Sequence, residues 1–450
     1  MRRLSLLTLI VVLLGLPGAA SCPLPVKGGD AVSVGIYIAP VGSGTPVVDY
    51  ESRRLLTPAS ILKSLTVATA YRILGPDWRW STAVMCRGRV KDGVLHGDLV
   101  IRGSGDPTIG SRHFKEQPSF CSAVAAALRR RGISSVEGGI VIDSSVMPEG
   151  GAVQSWEVED IAWDYGAGAY AVNYSDNTFS LTVPEMRTNI TVPGLEVVNN
   201  LSGKGRSLSL MRGVGCRTLT VGGSLGNRRQ ATLQCSMPDP GEVLVSRLES
   251  ALVALGIAVE HYNVERAADD PCEVVLEYES PPLSEVCRSL MVRSDNMMAE
   301  ATLRALAPSA PLDSALVRER RFWKDHGVDM SLWRIKDGSG LSRANVISAA
   351  ALGDVMRQMA VAPGVSQLYI DSFARAGLDG TLTSFLSKNQ RKREFVLKSG
   401  SMGGVQCYAG FRINPDTRDA THVIVVMVNN FSGSRSELRK AVETLLLNSF

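Results

Sequence analysis

The segment of residues 57–71 constrains the fold more than any other part of the sequence. It is apolar on nearly all sides, which predicts a helix buried inside a domain rather than one lying on its surface. Thr57 fits an N-cap and Pro58 fits the first helical position, where a missing N–H is tolerated. Ser60 is therefore expected in the first turn of the helix, near the positive end of its dipole.

Ser60 and Lys63 are three residues apart in this segment, so their side chains are expected on one face of the helix. A lysine that faces an apolar core is costly unless it has a partner or a chemical task. A serine hydroxyl is a weak nucleophile unless a base lies within hydrogen-bonding reach. The pair satisfies both needs, but S-x-x-K recurs by chance, so its weight depends on the rest of the chain.

The order of segments along the chain predicts one domain interrupted by another. At 450 residues the chain is too long for a single ordinary core. A β-hairpin (31–40 and 47–50) and the Ser60 helix open it, and strands and helices of similar character close it. Between them, glycine-rich turns separate short strands. We therefore predict a first part at 22–80, a β-rich insertion at 81–282 and a second part at 283–450.

The N-terminus has the features of a secretory signal, which we assign to residues 1–21. Two arginines precede a short apolar run and then small residues that end at Cys22. Two interpretations remain open. Cleavage after Ala20 gives a soluble exported protein, whereas cleavage before Cys22 with lipid on that cysteine gives a membrane-anchored lipoprotein. Both predict an exported or periplasmic location.

Charge and cysteine usage narrow the classes of function. The net charge of +4 is spread along the chain and does not suggest nucleic-acid binding. No C-x-x-C is present and the five histidines are scattered, so no metal site and no cofactor is predicted. Cys216 and Cys235 are candidates for a disulfide, and the alternative is that they are small buried hydrophobic residues.

Two further motifs follow in the C-terminal part. Ser294 and Asn296 form S-x-N at a junction between helical segments, where a turn can expose both side chains. Residues 398–401, Lys-Ser-Gly-Ser, end a predicted strand, where a glycine allows close approach of a substrate. Each motif is common by itself. The set of S-x-x-K, S-x-N and K-[ST]-G in this order is typical of serine β-lactamases and penicillin-binding proteins.

With the exported N-terminus and these three motifs, nearly the whole chain after the signal resembles the class C low-molecular-mass penicillin-binding proteins, which are D-alanyl-D-alanine carboxypeptidase/endopeptidases. Their long insertion between the first two motifs matches the gap from Ser60 to Ser294. The resemblance implies an α+β multidomain fold, in which a serine β-lactamase-like penicillin-binding domain, made of an antiparallel sheet with helices, carries the insertion. Ser399 stands where the family more often has threonine, and it keeps the hydroxyl.

The resemblance also implies roles for the motif residues. Ser60 is the nucleophile and Lys63, when neutral, is the base. Ser294 relays the proton to the leaving amine, and Asn296 holds the substrate and Lys63. The positive charge of Lys398 favours a neutral Lys63. The substrate carboxylate is bound by the third motif: Lys398, Ser399, Gly400 and Ser401. The turns at 103–108, 165–177 and 337–342 are expected to be structural.

The implied substrates are peptidoglycan stem peptides, and the implied inhibitors are β-lactams that acylate Ser60. Two alternatives stay open at this point. One is a serine β-lactamase, against which stand the length and the insertion. The other is a non-catalytic β-lactam-binding scaffold, against which stands the intact set of motifs. The sequence leaves the balance between carboxypeptidase and endopeptidase activity undetermined.

Overall fold

The computed structural model describes residues 22–26, 31–42, 45–203, 207–262 and 272–450. The predicted signal at 1–21 lies outside these residues. The helices are α1 Lys63–Ile73, α2 Phe120–Arg130, α3 Pro240–Ala254, α4 Leu283–Arg293, α5 Asn296–Arg304, α6 Leu312–Asp325, α7 Ala349–Ala360, α8 Ser366–Ser372 and α9 Arg435–Asn448. The strands in the first and last parts of the chain are β1 Ser33–Pro40, β2 Val48–Tyr50, β14 Trp333–Arg334, β15 Val346–Ile347, β16 Ala374–Arg375, β17 Phe395–Met402, β18 Val405–Ile413 and β19 Ala420–Asn429.

Strands from both ends of the chain form one six-stranded antiparallel sheet. Its order is β16-β17-β18-β19-β1-β2, so β1 pairs with β19, from the far end of the sequence. Nearly every residue of β1 is buried, because helices cover both faces of the sheet. α9 packs on one face, whereas α1, α4, α5, α7 and α8 contribute to the core on the other. This architecture confirms the predicted α+β class with a central antiparallel sheet.

The residues between 81 and 282 build three further sheets. Their strands are β3 Ser81–Lys91, β4 Val94–Arg102, β5 Ser135–Asp143, β6 Thr178–Val183, β7 Arg187–Thr188, β8 Glu196–Leu201, β9 Leu208–Met211, β10 Thr218–Gly223, β11 Ala231–Ser236, β12 Ala258–Tyr262 and β13 Cys272–Glu279. A five-stranded sheet, β12-β5-β4-β3-β13, is covered on one face by α2 and α3. Two three-stranded sheets, β11-β6-β7 and β8-β10-β9, share a smaller core. Among the described residues, both of these cores draw only on positions between 84 and 278.

Most predicted elements agree with the structure, and α3 is one that the sequence analysis missed. The opening hairpin is present, although the predicted connection includes residues 43 and 44, which are not described. The start signals of α3 were available in the sequence. Asp239 caps its first turn by accepting the backbone N–H of Glu242, and Pro240 occupies the first turn. Within the insertion the sequence predicts one helix, at 121–131, which corresponds to α2, and the glycine-rich turns near α3 favour a β-rich interpretation.

The start of the Ser60 helix differs from the prediction. A 3-10 turn, Ala59–Leu62, precedes α1, so Ser60 lies just before the α-helix rather than in its first turn. Thr57 is not its cap: Pro58 is the N-cap residue of the turn, Leu62 is that of α1, and no side chain caps either. The backbone of Thr57 makes other contacts. The N–H of Thr57 donates to Asn429 Oδ1 at 2.8 Å, and its carbonyl accepts from Asn429 Nδ2 at 3.1 Å. These bonds tie the turn to the end of β19.

Of the two alternatives for Cys216 and Cys235, the disulfide is not formed. Cys216 is exposed, whereas Cys235 is fully buried on β11, so the two thiols lie in different environments. The alternative, a buried hydrophobic residue, describes Cys235 but not Cys216. Within the described ranges, no helix is long and apolar enough to cross a membrane, and no cluster of histidine, cysteine and acidic side chains could hold a metal ion.

Candidate active site

Ser60 lies on a tightly constrained turn at the edge of an open pocket of about 460 Å³. The preceding residue, Ala59, has φ of +48°, a conformation that a residue with a Cβ rarely adopts. Gly340 packs directly against this residue, and a Cβ at Gly340 would meet the Ala59 carbonyl oxygen at 2.0 Å. The turn is therefore held from outside by the 337–342 loop, and it presents the Ser60 hydroxyl to the pocket.

Lys63 is fully buried beneath Ser60 and makes three hydrogen bonds through its Nζ atom. The acceptors are Ser60 Oγ at 3.1 Å, Asn296 Oδ1 at 2.6 Å and the Ser339 carbonyl at 2.6 Å. A neutral amine can keep donating to the amide and the carbonyl while its lone pair accepts the Ser60 proton. The site is therefore arranged for proton transfer from Ser60 to Lys63.

Two opposing effects set the proton affinity of Lys63: burial lowers it and nearby carboxylates raise it. Loss of solvation lowers the pKa of Lys63 to about 8, although Asp337, Glu300 and Asp295 all act to raise it. A lysine with this pKa is partly neutral near neutral pH, whereas an ordinary lysine is almost wholly charged.

Lys398 is also fully buried. Its Nζ donates to Ser294 Oγ at 2.8 Å and to the Ser399 carbonyl at 2.7 Å. Burial and repulsion from Lys63 lower the pKa of Lys398 well below its ordinary value. Within the described chain, no carboxylate offsets this loss of solvation. The sequence analysis expected the charge of Lys398 to favour a neutral Lys63, whereas burial acts against that charge.

The S-x-N motif occupies the junction between α4 and α5. Ser294 ends α4 in the left-handed conformation, with φ of 63°, and Asp295 caps α5 by accepting the N–H of Met298 at 2.8 Å. Asn296 is the first residue of α5. Its Nδ2 donates to the Tyr165 carbonyl at 2.7 Å, which turns Oδ1 toward Lys63. The junction thus directs Ser294 toward Lys398 and Asn296 toward Lys63.

Tyr165 lies within residues 81–282, the predicted insertion, in a turn that was expected to be structural. The surrounding segment also packs on the first and last parts of the chain: Ala167 belongs to the main core, and Trp156 Nε1 donates to Asp337 Oδ2 at 2.9 Å. Asn173 and Asn177 hold the local turns through backbone contacts, in keeping with a structural part. The segment around Tyr165 therefore orients Asn296. The sequence analysis missed this contact.

Glu300 is a second group that the sequence analysis missed. It lies one turn after Asn296 on α5, is fully buried, and accepts the backbone N–H groups of Gly338 at 3.0 Å and Ser339 at 2.8 Å. Burial raises the pKa of Glu300 to about 7. These bonds fix the loop so that the Ser339 carbonyl reaches Lys63. The i, i+4 spacing from Asn296 places Glu300 on the same face of α5, but nothing in the sequence links it to the 337–342 loop.

The third motif lies on β17 beside the Ser60 turn. A Cβ at Gly400 would meet Pro58 O at 2.8 Å, Ser60 N at 2.8 Å and Ile61 N at 2.9 Å. Gly400 was expected to allow close approach of a substrate. In the structure it allows close approach of the backbone of the Ser60 turn. The hydroxyls of Ser399 and Ser401 line the pocket on the opposite side of the strand. Here β17 pairs with β18 alone, because its pairing with β16 ends at residue 397.

Comparison with known proteins decides the family. Residues 29–448 match the D-Ala-D-Ala carboxypeptidase 3 (S13) family. The chain belongs to this family. It is 25% identical over 427 residues to a D-alanyl-D-alanine carboxypeptidase from Actinomadura sp. (strain R39), covering 87% of this chain and 77% of that one. It is 22% identical over 425 residues to D-alanyl-D-alanine carboxypeptidase DacB of Haemophilus influenzae, covering 90% of this chain and 86% of the relative.

Solved structures show the same fold for this S13 family member. Penicillin-binding protein 4 (dacB) from Haemophilus influenzae superposes with a TM-score of 0.81 at 22% identity, over 95% of this chain and 97% of that one. A predatory endopeptidase from Bdellovibrio bacteriovorus superposes with a TM-score of 0.51 at 14% identity, over 93% of each chain. The predicted resemblance, the fold class and the assignment to a family of serine peptidases are confirmed.

Proposed function

We propose that this S13 family member hydrolyses the D-Ala-D-Ala bond of peptidoglycan stem peptides through an acyl-enzyme on Ser60. The observation that carries this proposal is the contact of Lys63 Nζ with Ser60 Oγ at 3.1 Å, at the edge of an open pocket. A buried lysine with a pKa of about 8 is a suitable base for a serine hydroxyl. Ser60 and Lys63 together supply the nucleophile and the base that acylation requires.

The reaction follows from the positions of these groups. Ser60 Oγ attacks the carbonyl carbon between the two D-alanines, and its proton passes to Lys63 Nζ. The C–N bond then breaks as Ser294 Oγ donates a proton to the leaving amine and takes one from Lys398 Nζ, which lies 2.8 Å away. Water hydrolyses the resulting ester by the reverse proton path. Asn296 keeps Lys63 in place and binds the substrate amide.

The backbone N–H groups of Ser60 and Ser401 are the proposed oxyanion hole. The absence of a side chain at Gly400 keeps the space beside Ser60 N open, because a Cβ there would lie 2.8 Å from this nitrogen. One donor of this kind stabilises the tetrahedral intermediate by about 3 kcal/mol in known enzymes. The unpaired edge of β17 also offers backbone groups to an extended peptide.

Release of D-alanine tests the activity. Incubation with purified peptidoglycan sacculi is expected to release free D-alanine, and the Ser60→Ala variant is expected to release none. Mass analysis of the products also separates the two activities, because monomers released from cross-linked dimers report endopeptidase cleavage. A preparation that binds penicillin but releases neither product would contradict the proposed reaction and leave only a binding scaffold.

Labelled penicillin is expected to modify Ser60 alone. A β-lactam resembles the D-Ala-D-Ala unit, and the relative from Haemophilus influenzae has been solved in complex with a β-lactam. Peptide mapping should locate the label, and nitrocefin should give one stoichiometric burst rather than the steady turnover of a β-lactamase. Ser64→Ala is the matched control, because the Ser64 hydroxyl is buried and donates to the Ile61 carbonyl at 2.6 Å. Label on another serine would refute the assignment.

Residues 1–21 are proposed to direct export, and Cys22 is proposed as the site of a lipid tether. The apolar run and small residues before Cys22 support this. In the described chain, Cys22 is half-buried and its Sγ donates to the Leu24 carbonyl at 3.3 Å, so lipidation requires this contact to open. Mass spectrometry of the mature N-terminus is expected to show an acylated Cys22. An unmodified terminus at Ser21 would refute the tether.

Residues 81–282 are proposed to be an inserted unit between the parts 22–80 and 283–450. Its two larger cores draw on no residue outside this range, which supports a unit with its own folding core. The Tyr165 carbonyl makes the insertion part of the site, so joining residues 80 and 283 through a short linker should slow penicillin acylation even if the shortened chain folds. Acylation at the parent rate by a folded shortened chain would show that the contact has no effect.

A further inference from the structure

The pocket beside Ser60 has a positively charged wall that none of the three motifs supplies. Arg435 and Arg439 lie one turn apart near the start of α9, and both line the same pocket as Ser60 and Ser294. Among the described residues that line it, no side chain is acidic, and the polar ones carry hydroxyl or amide groups. The N-terminal end of α9 adds a favourable dipole for a negative charge. This wall is suited to an anion.

Both guanidinium groups retain unused hydrogen-bonding capacity. Arg435 is exposed, donates to the Met402 carbonyl at 2.7 Å, and forms no ion pair within the described chain. Arg439 is half-buried, and its Nη1 donates to Ser384 Oγ at 2.7 Å. Its Nε is buried without a hydrogen bond and lies 3.5 Å from Glu443 Oε1. Arg439 is therefore only partly neutralised, and Arg435 not at all.

The groups first assigned to the substrate carboxylate are largely occupied. Ser401 Oγ donates its one proton to Gln406 Oε1 at 2.7 Å. The hydroxyls of Ser399 and Thr381 lie 2.7 Å apart, so one of their two protons is used between them. Lys398 is fully buried and directs Nζ to protein acceptors. One free hydroxyl proton cannot balance a carboxylate, which needs positive charge from another source.

We propose that Arg435 and Arg439 form a subsite for the free carboxylate of the residue that leaves during acylation, and for the carboxylate of a β-lactam. The inference rests on the proposed function of Ser60. Ser294, which is proposed to protonate the leaving amine, lines the same pocket, so the leaving residue lies there. Arginine keeps its charge at every working pH and binds carboxylates through paired, charge-assisted hydrogen bonds.

A pair of thioester substrates isolates this interaction. Both carry the same N-acyl-D-alanyl group, one with thioglycolate as leaving group and the other with its uncharged amide. Arg439→Gln, Arg435→Gln and the double variant are expected to lower kcat/KM for the thioglycolate ester by roughly 10- to 100-fold, and that for the amide by no more than about twofold. Arg439→Lys should recover part of the loss because it restores the charge.

Lys440→Gln is the matched control, since it removes a charge from the next position of α9, where the side chain is exposed and does not line this pocket. Equal losses on both substrates would show a merely structural effect and overturn the subsite, as would unchanged kcat/KM on the thioglycolate ester. If neither the two thioesters nor penicillin acylates the parent enzyme, the proposed function of Ser60 itself fails. That result is separate from failure of the subsite.

Discussion

Replacing Lys63 by methionine is expected to slow acylation of Ser60 by about 10²- to 10⁴-fold, the usual contribution of a general base. Methionine has a similar length but no lone pair that accepts a proton, and it removes the contacts to Ser60 Oγ and Asn296 Oδ1. Lys63→Arg should be equally inactive, because a guanidinium does not deprotonate at working pH. The rate of modification by labelled penicillin measures the effect.

Lys324→Met is a suitable control for the Lys63 substitution, because Lys324 is exposed on α6, away from the pocket. It should acylate at the parent rate. Far-UV and near-UV circular dichroism should show that the Lys63 variants fold, since methionine also removes a buried charge. Acylation of a folded Lys63→Met variant at close to the parent rate would show that Lys63 is not the base.

The pH dependence of acylation is expected to identify the same group. Burial lowers the pKa of Lys63 to about 8, and only the neutral amine accepts the Ser60 proton. The acylation rate of the parent enzyme should therefore be low at pH 6, where Lys63 is charged, and should rise through pH values near 8. Stopped-flow measurement with a chromogenic β-lactam checks this. A rate that is constant from pH 6 to pH 9 would contradict the assignment.

The sequence contained enough to predict the fold class and to select the residues of the candidate site. S-x-x-K and S-x-N lie at the ends of helices, and those local contexts are encoded by nearby residues. K-S-G was expected to end a strand, but it lies within β17, which continues to Met402. The structure brings Ser60, Lys63 and Asn296 into contact, and Lys398 into contact with Ser294. Lys63 and Asn296 are 233 residues apart, and they can meet because β1 pairs with β19, which joins the two ends of the chain.

The groups that the sequence analysis missed share a physical cause. The Tyr165 carbonyl acts through its backbone, and a backbone group has no residue type to recognise. Glu300 acts through the N–H groups of another loop, so its task appears only when α5 and that loop are packed together. Arg435 and Arg439 stand outside every motif, on the last helix, and reach the pocket only because α9 packs against the sheet.

Replacing Gly400 by alanine is expected to slow acylation by about 100-fold or more, a loss typical of misplacing a reacting group by about 1 Å. The new Cβ would meet Pro58 O, Ser60 N and Ile61 N, all at 2.8–2.9 Å. These are backbone atoms, so neither side can rotate away and either β17 or the Ser60 turn must shift. The shift should also lower the free energy of unfolding by about 1–3 kcal/mol, as overpacking does elsewhere.

Gly403→Ala is the matched control, on the turn that follows the same strand. A Cβ at Gly403 would meet only Arg343 Nη2, at 3.1 Å, and the end of an arginine side chain can move aside. Penicillin acylation and thermal unfolding should therefore stay near the parent values. If Gly400→Ala acylates as fast as Gly403→Ala, the packing of β17 on the Ser60 turn does not set the position of the nucleophile. If only Gly400→Ala loses penicillin acylation, the main role of the motif glycine is to position Ser60 and to leave its N–H open to the substrate carbonyl.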